Sequence, residues 1–261
     1  MDSEIIDRLS RLVVDNEKDL YCFFNDNSHF FSPYNGYFYL RYNEYKLLTS
    51  LFPNVFLDKK VLEIGAGFGF NAFLISLTAT EILGIDIPVK YPSLVVGNET
   101  TSIEIANKIN SILNFKNVRF QECWPVDITC CETGSMDLIF SEYVLEHIPN
   151  LEAALTEMYR VLKVGGQMLH VVPITQDATI QFMYSQIENA KKKKTLRKLL
   201  NNLVSPVIIP GCHSEFLSDF SDQIKLYSLE NYIFKMQEIG FVIQDIKQTR
   251  EHNRAILAMK L

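Results

Sequence analysis

Between residues 61 and 173, short runs of aliphatic and β-branched side chains alternate with longer stretches in which apolar positions recur every three or four residues. The short runs suit strands and the longer ones suit helices that bury one stripe, so this part of the chain reads as βα units around a parallel sheet. Strands are expected at 60–64, 82–87, 118–121, 136–140 and 167–173, and helices at 71–77, 101–113 and 151–162. Gly165-Gly166 is expected to end the last helix, because glycine accepts the left-handed conformation that commonly closes one. Residues 228–239 again have helical periodicity, Gly240 stops it, and 241–247 and 254–260 suit two closing strands, which brings the sheet to about seven.

Two segments depart from this rhythm. Residues 1–57 combine an amphipathic stretch at 5–20 with a region, 21–45, crowded with Phe, Tyr and Asn. They read as an N-terminal helical and aromatic cap. Its Phe30, Phe31, Tyr34, Tyr37, Phe38, Tyr39, Tyr42 and Tyr45 suit either the wall of an acceptor pocket or a core packed on the sheet, and for most of them the core is expected. Residues 174–227 carry Lys191 to Lys194 on a helical stretch and then Pro210-Gly211-Cys212-His213, and read as an inserted substrate lid after the fifth strand. The core is then 58–173 plus 228–261. The fold class expected is α/β, a doubly wound, mostly parallel, seven-stranded Rossmann-like sheet.

Composition narrows the function only by exclusion. A hydrophobic content of 48% with 21% charged residues is ordinary for a globular chain and argues against disorder. The net charge of −6 gives no general attraction to phosphate backbones or anionic membranes, so a small-molecule acceptor is favoured and nucleic acid is not. The opening Met1-Asp2-Ser3-Glu4 lacks the basic start and apolar run of a secretory signal, and no stretch reaches the roughly 18 apolar residues of a membrane span. A cytoplasmic protein without membrane association is expected. Cys22, Cys123, Cys130, Cys131 and Cys212 show no CxxC spacing, so free thiols are the expectation, and no histidine pairing suggests a metal site.

The chemistry concentrates at residues 61–70, VLEIGAGFGF: an apolar strand containing Glu63, then Gly65, Gly67 and Gly69 where the chain must turn into a helix. Such a turn lets a ligand pack directly on backbone amides at a helix N-terminus. The dinucleotide fingerprint GxGxxG would need a third glycine where Phe70 stands, which makes NAD the lesser candidate. Asp86 closes the next apolar run about 20 residues downstream, where an acid can accept both ribose hydroxyls of an adenosine.

These residues, with LGIDI at 83–87, MDLIFSEYVLEHI at 136–148 and EMYRVLKVGGQMLHVVP at 157–173, resemble the ordered motifs of class I S-adenosylmethionine-dependent methyltransferases. The resemblance covers 60–173 and, loosely, the last 30 residues; it does not cover the first 50 residues or the insertion. It implies S-adenosylmethionine as cofactor. In that family Glu63 would reach toward the methionine amino end, Gly65, Ala66 and Gly67 would pass beneath the methionine and ribose, and Asp86 with Ile87 would hold the ribose side. Ser141 and Glu142 would face the methionine portion, and Arg41 and Tyr42 of the cap would lie near its carboxylate. The adenine side departs from the family pattern: Glu122 or Asp127 would supply the acid, with Cys123 beside it and Trp124 suiting either the adenine face or packing.

A sulfonium methyl is already activated, so the enzyme has chiefly to align a nucleophile and exclude water. A hydroxyl acceptor gains from a general base, for which His147, one helical turn after the fourth strand, and His213, in the insertion, are the candidates. Each also suits a plain structural role. Three readings follow: methyl transfer to a small molecule, at oxygen ahead of nitrogen or carbon; an RNA or protein methyltransferase that uses the lysine-rich helix; and a non-enzymatic cofactor-binding module.

Overall fold

The computed structural model describes residues 16–26, 37–88, 90–92, 99–174, 208–210, 223–225, 227–250 and 253–261. Its elements in chain order are α1 (Glu17–Asp26), α2 (Tyr37–Leu51), β1 (Lys60–Ile64), α3 (Phe70–Ser76), β2 (Glu81–Asp86), β3 (Lys90–Pro92), β4 (Glu99–Thr101), α4 (Ser102–Leu113) and β5 (Val118–Glu122). There follow β6 (Met136–Glu142), a single 3-10 turn (Leu145–His147), α5 (Leu151–Val161), β7 (Leu162–Pro173), β8 (Ile208–Pro210), β9 (Gln223–Lys225), α6 (Leu229–Ile239), β10 (Phe241–Arg250) and β11 (Asn253–Lys260).

Seven strands form one sheet in the order β10-β11-β7-β6-β1-β2-β5. β5, β2, β1, β6 and β7 run parallel, while β11 is antiparallel to both β7 and β10. The strand order reverses direction between β1 and β6. Ligands of open α/β sheets sit at the carboxyl ends of the strands beside such a reversal.

Alternation along the strands divides the core into two. Val61, Ile82, Leu138, Leu169 and Ala255 face a layer built by α1, α2, α3 and α4, whereas Leu62, Leu83, Ile139, Met168 and Ile256 face α5 and α6. The helices meet the sheet with the stripes their sequence encodes, as in α5, where Leu151, Ala154, Leu155, Met158 and Val161 are buried. Thr101 starts α4 with a capping box, its hydroxyl accepting from the Glu104 amide while the Glu104 side chain accepts from the Thr101 amide. Ser228 caps α6, and Gly240 closes it as the sequence leads one to expect.

One feature corrects the sequence reading. α5 ends at Val161, and Gly165-Gly166 lies inside β7 rather than closing the helix. Other groups serve its last turn: the Gly134 and Ser135 amides donate to the carbonyls of Arg160 and Val161, and Lys260 Nζ donates to those of Tyr159 (2.7 Å) and Leu162 (2.8 Å). The first described helix begins at Glu17, so the stretch expected to be helical at 5–20 falls mostly outside the described residues. α2 lies within the aromatic segment. Its side chains at 38, 45 and 48 are buried, and tertiary burial decides the conformation of a run whose own helix propensity is modest.

Phe70, which stands where a dinucleotide fold would have glycine, meets Phe24 at 4.9 Å and Phe38 at 5.2 Å between ring centroids. The ring fastens the N-terminal helices onto the start of α3. Two further pairs, β3–β4 and β8–β9, are antiparallel and separate from the main sheet. β8 and β9 fall in the segment expected to be a helical lid, most of which, with Lys191 to Lys194 and His213, lies outside the described residues. Among the described residues no helix is long and apolar enough to cross a membrane, and no group of three or more His, Cys, Asp and Glu side chains is placed to hold a metal ion.

Candidate functional site

At the end of β1 the chain turns on Gly65 and Gly67, with φ of +74° and +53°. The amides of Gly65 and Ala66 both donate to the Ile85 carbonyl, at 2.8 and 3.0 Å, which draws the turn across the end of β2. The two glycines serve different ends. A Cβ on Gly65 would lie 2.3 Å from Val144 Cγ2, so the residue is needed for protein packing. A Cβ on Gly67 would meet nothing within 4 Å among the described residues, so this residue forms an open ledge.

Asp86, the last residue of β2, is fixed beneath that ledge. Oδ2 accepts from the Gly67 amide (2.9 Å) and the Ser102 hydroxyl (3.2 Å), and Oδ1 accepts from the Ile87 amide (2.8 Å). Burial raises its pKa, while these donors and the nearby His147 pull it down. The adjoining strand brings Glu122 opposite Asp86 in register, where Glu122 accepts from the Thr101 hydroxyl at 2.6 Å. The Cys123 amide donates to the Asp86 carbonyl at 2.9 Å. Trp124 stands 47% exposed on a one-residue bridge to Asp127, so its ring is a surface group here and not a core one.

Glu63 and Glu142 stand on neighbouring strands of the reversal. Burial pushes the Glu63 carboxyl well above the usual carboxylate range, and the charges of Glu142 and Asp86 push it further. Glu142 is likewise raised by burial, with Arg41 opposing. Asn71, in the first turn of α3, donates from Nδ2 to Glu142 Oε2 at 3.0 Å. Among the described residues, Glu63 Oε2, Glu142 Oε1 and Asn71 Oδ1 are buried acceptors with no hydrogen-bond partner. Buried acceptors left without donors are costly, and a group rich in N–H donors and positive charge would relieve all three.

Arg41 of α2 reaches this cluster, bonding Glu142 Oε2 at 3.2 Å and Glu44 Oε2 at 2.9 Å. Its neighbour Tyr42 stacks on Tyr21 at 4.8 Å and is partly buried against the core of the N-terminal layer. Ser141 and His170 are fully buried, with Ser141 Oγ 2.7 Å from His170 Nδ1. Burial lowers the His170 pKa to about 3, so the ring is neutral. His147 projects from the 3-10 turn, with Nε2 4.0 Å from Glu146 Oε1, and stands within electrostatic reach of Asp86. The structure thus gathers Glu63, Gly65, Ala66, Gly67, Asp86, Ile87, Glu122, Cys123, Ser141, Glu142, Arg41 and His147 at one end of the sheet.

Several residues of this cluster escape sequence reasoning: Glu44, Asn71, Ser102, Tyr143, His170, Arg250 and Asn253. Asn71 and Ser102 open helices beside the motif and are findable as polar residues at helix starts. Tyr143 has φ of +56°, a conformation with no signal in an aromatic side chain.

Residues 57–232 match a family described as a methyltransferase domain, well over half of the chain, and the chain belongs to that family. The resemblance to class I S-adenosylmethionine-dependent methyltransferases is thereby borne out. Over 114 residues, 44% of this chain, it is 29% identical to the uncharacterized methyltransferase YcgJ of Bacillus subtilis; over 124 residues, 47% of this chain, it is 28% identical to the ubiquinone/menaquinone biosynthesis C-methyltransferase UbiE of Rhizobium johnstonii. The matches span 40% and 45% of those proteins, less than half of each. In three dimensions it is similar to the crystal structure of YcgJ (TM-score 0.55, 17% identity, 83% of this chain and 97% of that one). It is also similar to a SAM-dependent methyltransferase from Aquifex aeolicus (TM-score 0.57, 14% identity, 90% and 97%). At these identities the likeness is one of fold.

Proposed function

We propose that the chain binds S-adenosylmethionine across the ends of β1, β2 and β6 and transfers its methyl group to a small-molecule acceptor. The observation that carries this reading is the pairing of an open glycine ledge with three buried, undonated oxygens beside it. Gly65, Ala66 and Gly67 would bear the ligand, Asp86 would hold the ribose, and Glu63, Glu142 and Asn71 would take the ammonium end. A surplus of buried carboxylate suits a ligand carrying both an ammonium and a sulfonium, and it suits a pyrophosphate poorly. When bound, the cofactor supplies a methyl group already activated for transfer, so the chain's own work is to orient the acceptor and keep water out.

A net charge of −6 supports a small acceptor over a nucleic acid. So does one relative's name, that of a quinone-biosynthesis C-methyltransferase, which makes carbon the competitor to the oxygen favoured here. For a hydroxyl acceptor His147 is the group proposed to take the proton, and a cytoplasmic location completes the reading. Titration calorimetry with S-adenosylhomocysteine, with NAD as control, tests it. Micromolar binding of the first alone is expected; binding of NAD, or of neither ligand by folded protein, overturns it.

A further inference from the structure

Immediately after Glu142 the backbone enters the left-handed region at Tyr143, with φ of +56°. For an aromatic residue this is an outlier that the surroundings must enforce, and such strain gathers at functional sites. The Tyr143 amide is held by the Val171 carbonyl at 2.9 Å. Its hydroxyl donates to Glu44 Oε1 at 3.0 Å and accepts from Asn253 Nδ2 at 2.7 Å. Its ring lies under the Arg41 guanidinium, 4.7 Å from centroid to Cζ.

From there the contacts run in one direction. Glu44 Oε1 also meets Arg250 at 2.9 Å, its Oε2 holds Arg41 at 2.9 Å, and Arg41 bonds Glu142 Oε2 at 3.2 Å, where Asn71 also donates. Among the described residues both partners fall on one oxygen of Glu142. Oε1 is left buried and undonated.

We infer that Tyr143 is a positioning residue, which acts through Glu44 and Arg41 to hold Glu142 with one carboxylate oxygen reserved for the cationic end of the ligand. The inference rests on the cofactor reading above and adds to it a strut spanning α2, the end of β6 and the β10–β11 hairpin. Burial and the carboxylates of Glu44 and Glu142 push the Tyr143 phenol far above its ordinary range, so it stays protonated, donates to Glu44 at any working pH and is no base. Tyr143→Phe would keep the ring under Arg41 and remove one of the two partners of Glu44 Oε1, leaving Arg250 alone on that oxygen and loosening the hold of Glu44 and Arg41 on Glu142.

The test is a double-mutant cycle of Tyr143→Phe and Glu142→Gln, with S-adenosylhomocysteine affinity read by calorimetry and the melting temperature of every variant recorded. Tyr143→Phe alone is expected to weaken binding about fivefold to tenfold, and to change it less than about twofold when Glu142 is already Gln. Asn253→Ala, which removes the donor to the same hydroxyl without touching β6, is expected to shift affinity the same way. Equal losses in the two Glu142 backgrounds, or a lowered melting temperature with unchanged affinity, would make Tyr143 a purely structural residue and overturn the inference. Failure of the unmodified chain to bind S-adenosylhomocysteine overturns the cofactor reading and the inference together, whereas binding with an additive cycle overturns the inference alone.

Discussion

Replacing Gly67 with alanine separates what the glycine does for the fold from what it does for the ligand. With φ of +53°, alanine there occupies the left-handed region, at a cost of about 1–2 kcal/mol. No steric cost is added by the described residues, none of which has an atom within 4 Å of a Cβ at this position. For a chain of this size the melting temperature should fall by roughly 2–8 °C. Gly65→Ala bears the same kind of backbone strain at φ of +74° and also drives a methyl to 2.3 Å from Val144 Cγ2. Overpacking of that sort adds about 1–3 kcal/mol, so Gly65→Ala should be the less stable of the two. Binding should show the contrast: the Gly67→Ala methyl occupies the ledge itself and should weaken S-adenosylhomocysteine at least tenfold, about 1.4 kcal/mol. Thermal melts and calorimetry on both variants decide the matter. Affinity within twofold of the parent for Gly67→Ala, or a Gly67→Ala less stable than Gly65→Ala, would refute the division of roles.

Asp86→Asn removes the charge from the carboxylate assigned to the ribose and should cost about 1.5–3 kcal/mol of S-adenosylhomocysteine affinity in calorimetry; unchanged affinity would reassign the residue. Glu63 has its pKa raised in the fold, so the folded chain holds a proton that the unfolded chain releases, and the stability tied to it is present in acid and lost as pH rises through the folded value. In denaturant titrations without ligand, the parent should therefore lose stability relative to Glu63→Gln with increasing pH, and a constant difference would refute this. Lys260→Met strips two carbonyls at the end of α5 of their donor and should cost about 2 kcal/mol, or roughly 4–8 °C in a thermal melt.

The strands were legible because each is an apolar run bounded by polar residues, and those of β1, β2 and β5 lie within a residue of their expected limits. The glycine turn and Asp86 were legible because their geometry is local: each needs a particular residue type at one place in the chain. What closes α5 was not, although its end fell within a residue of the expected one, because the lysine that serves its carbonyls stands 98 and 101 residues away and a glycine pair nearby suggested a simpler stop. The same distance hid much of the site. Tyr143 bonds partners 99 residues before it and 110 residues after it, and no local pattern announces such a meeting. The β3–β4 pair went unseen for another reason, since three-residue strands carry too little periodicity to register.

The order of the strands also sets a timetable. β11 follows β10 in the chain yet lies inside it, between β10 and β7. As the polypeptide leaves the ribosome, β10 therefore has no strand to pair with until its successor has emerged and slotted between them. The five parallel strands can assemble earlier, with the flank of β7 left open to any passing strand until β11 arrives. Loss of β11 would leave a vacancy within the sheet instead of shortening its margin, and would leave β10 with no strand to pair with.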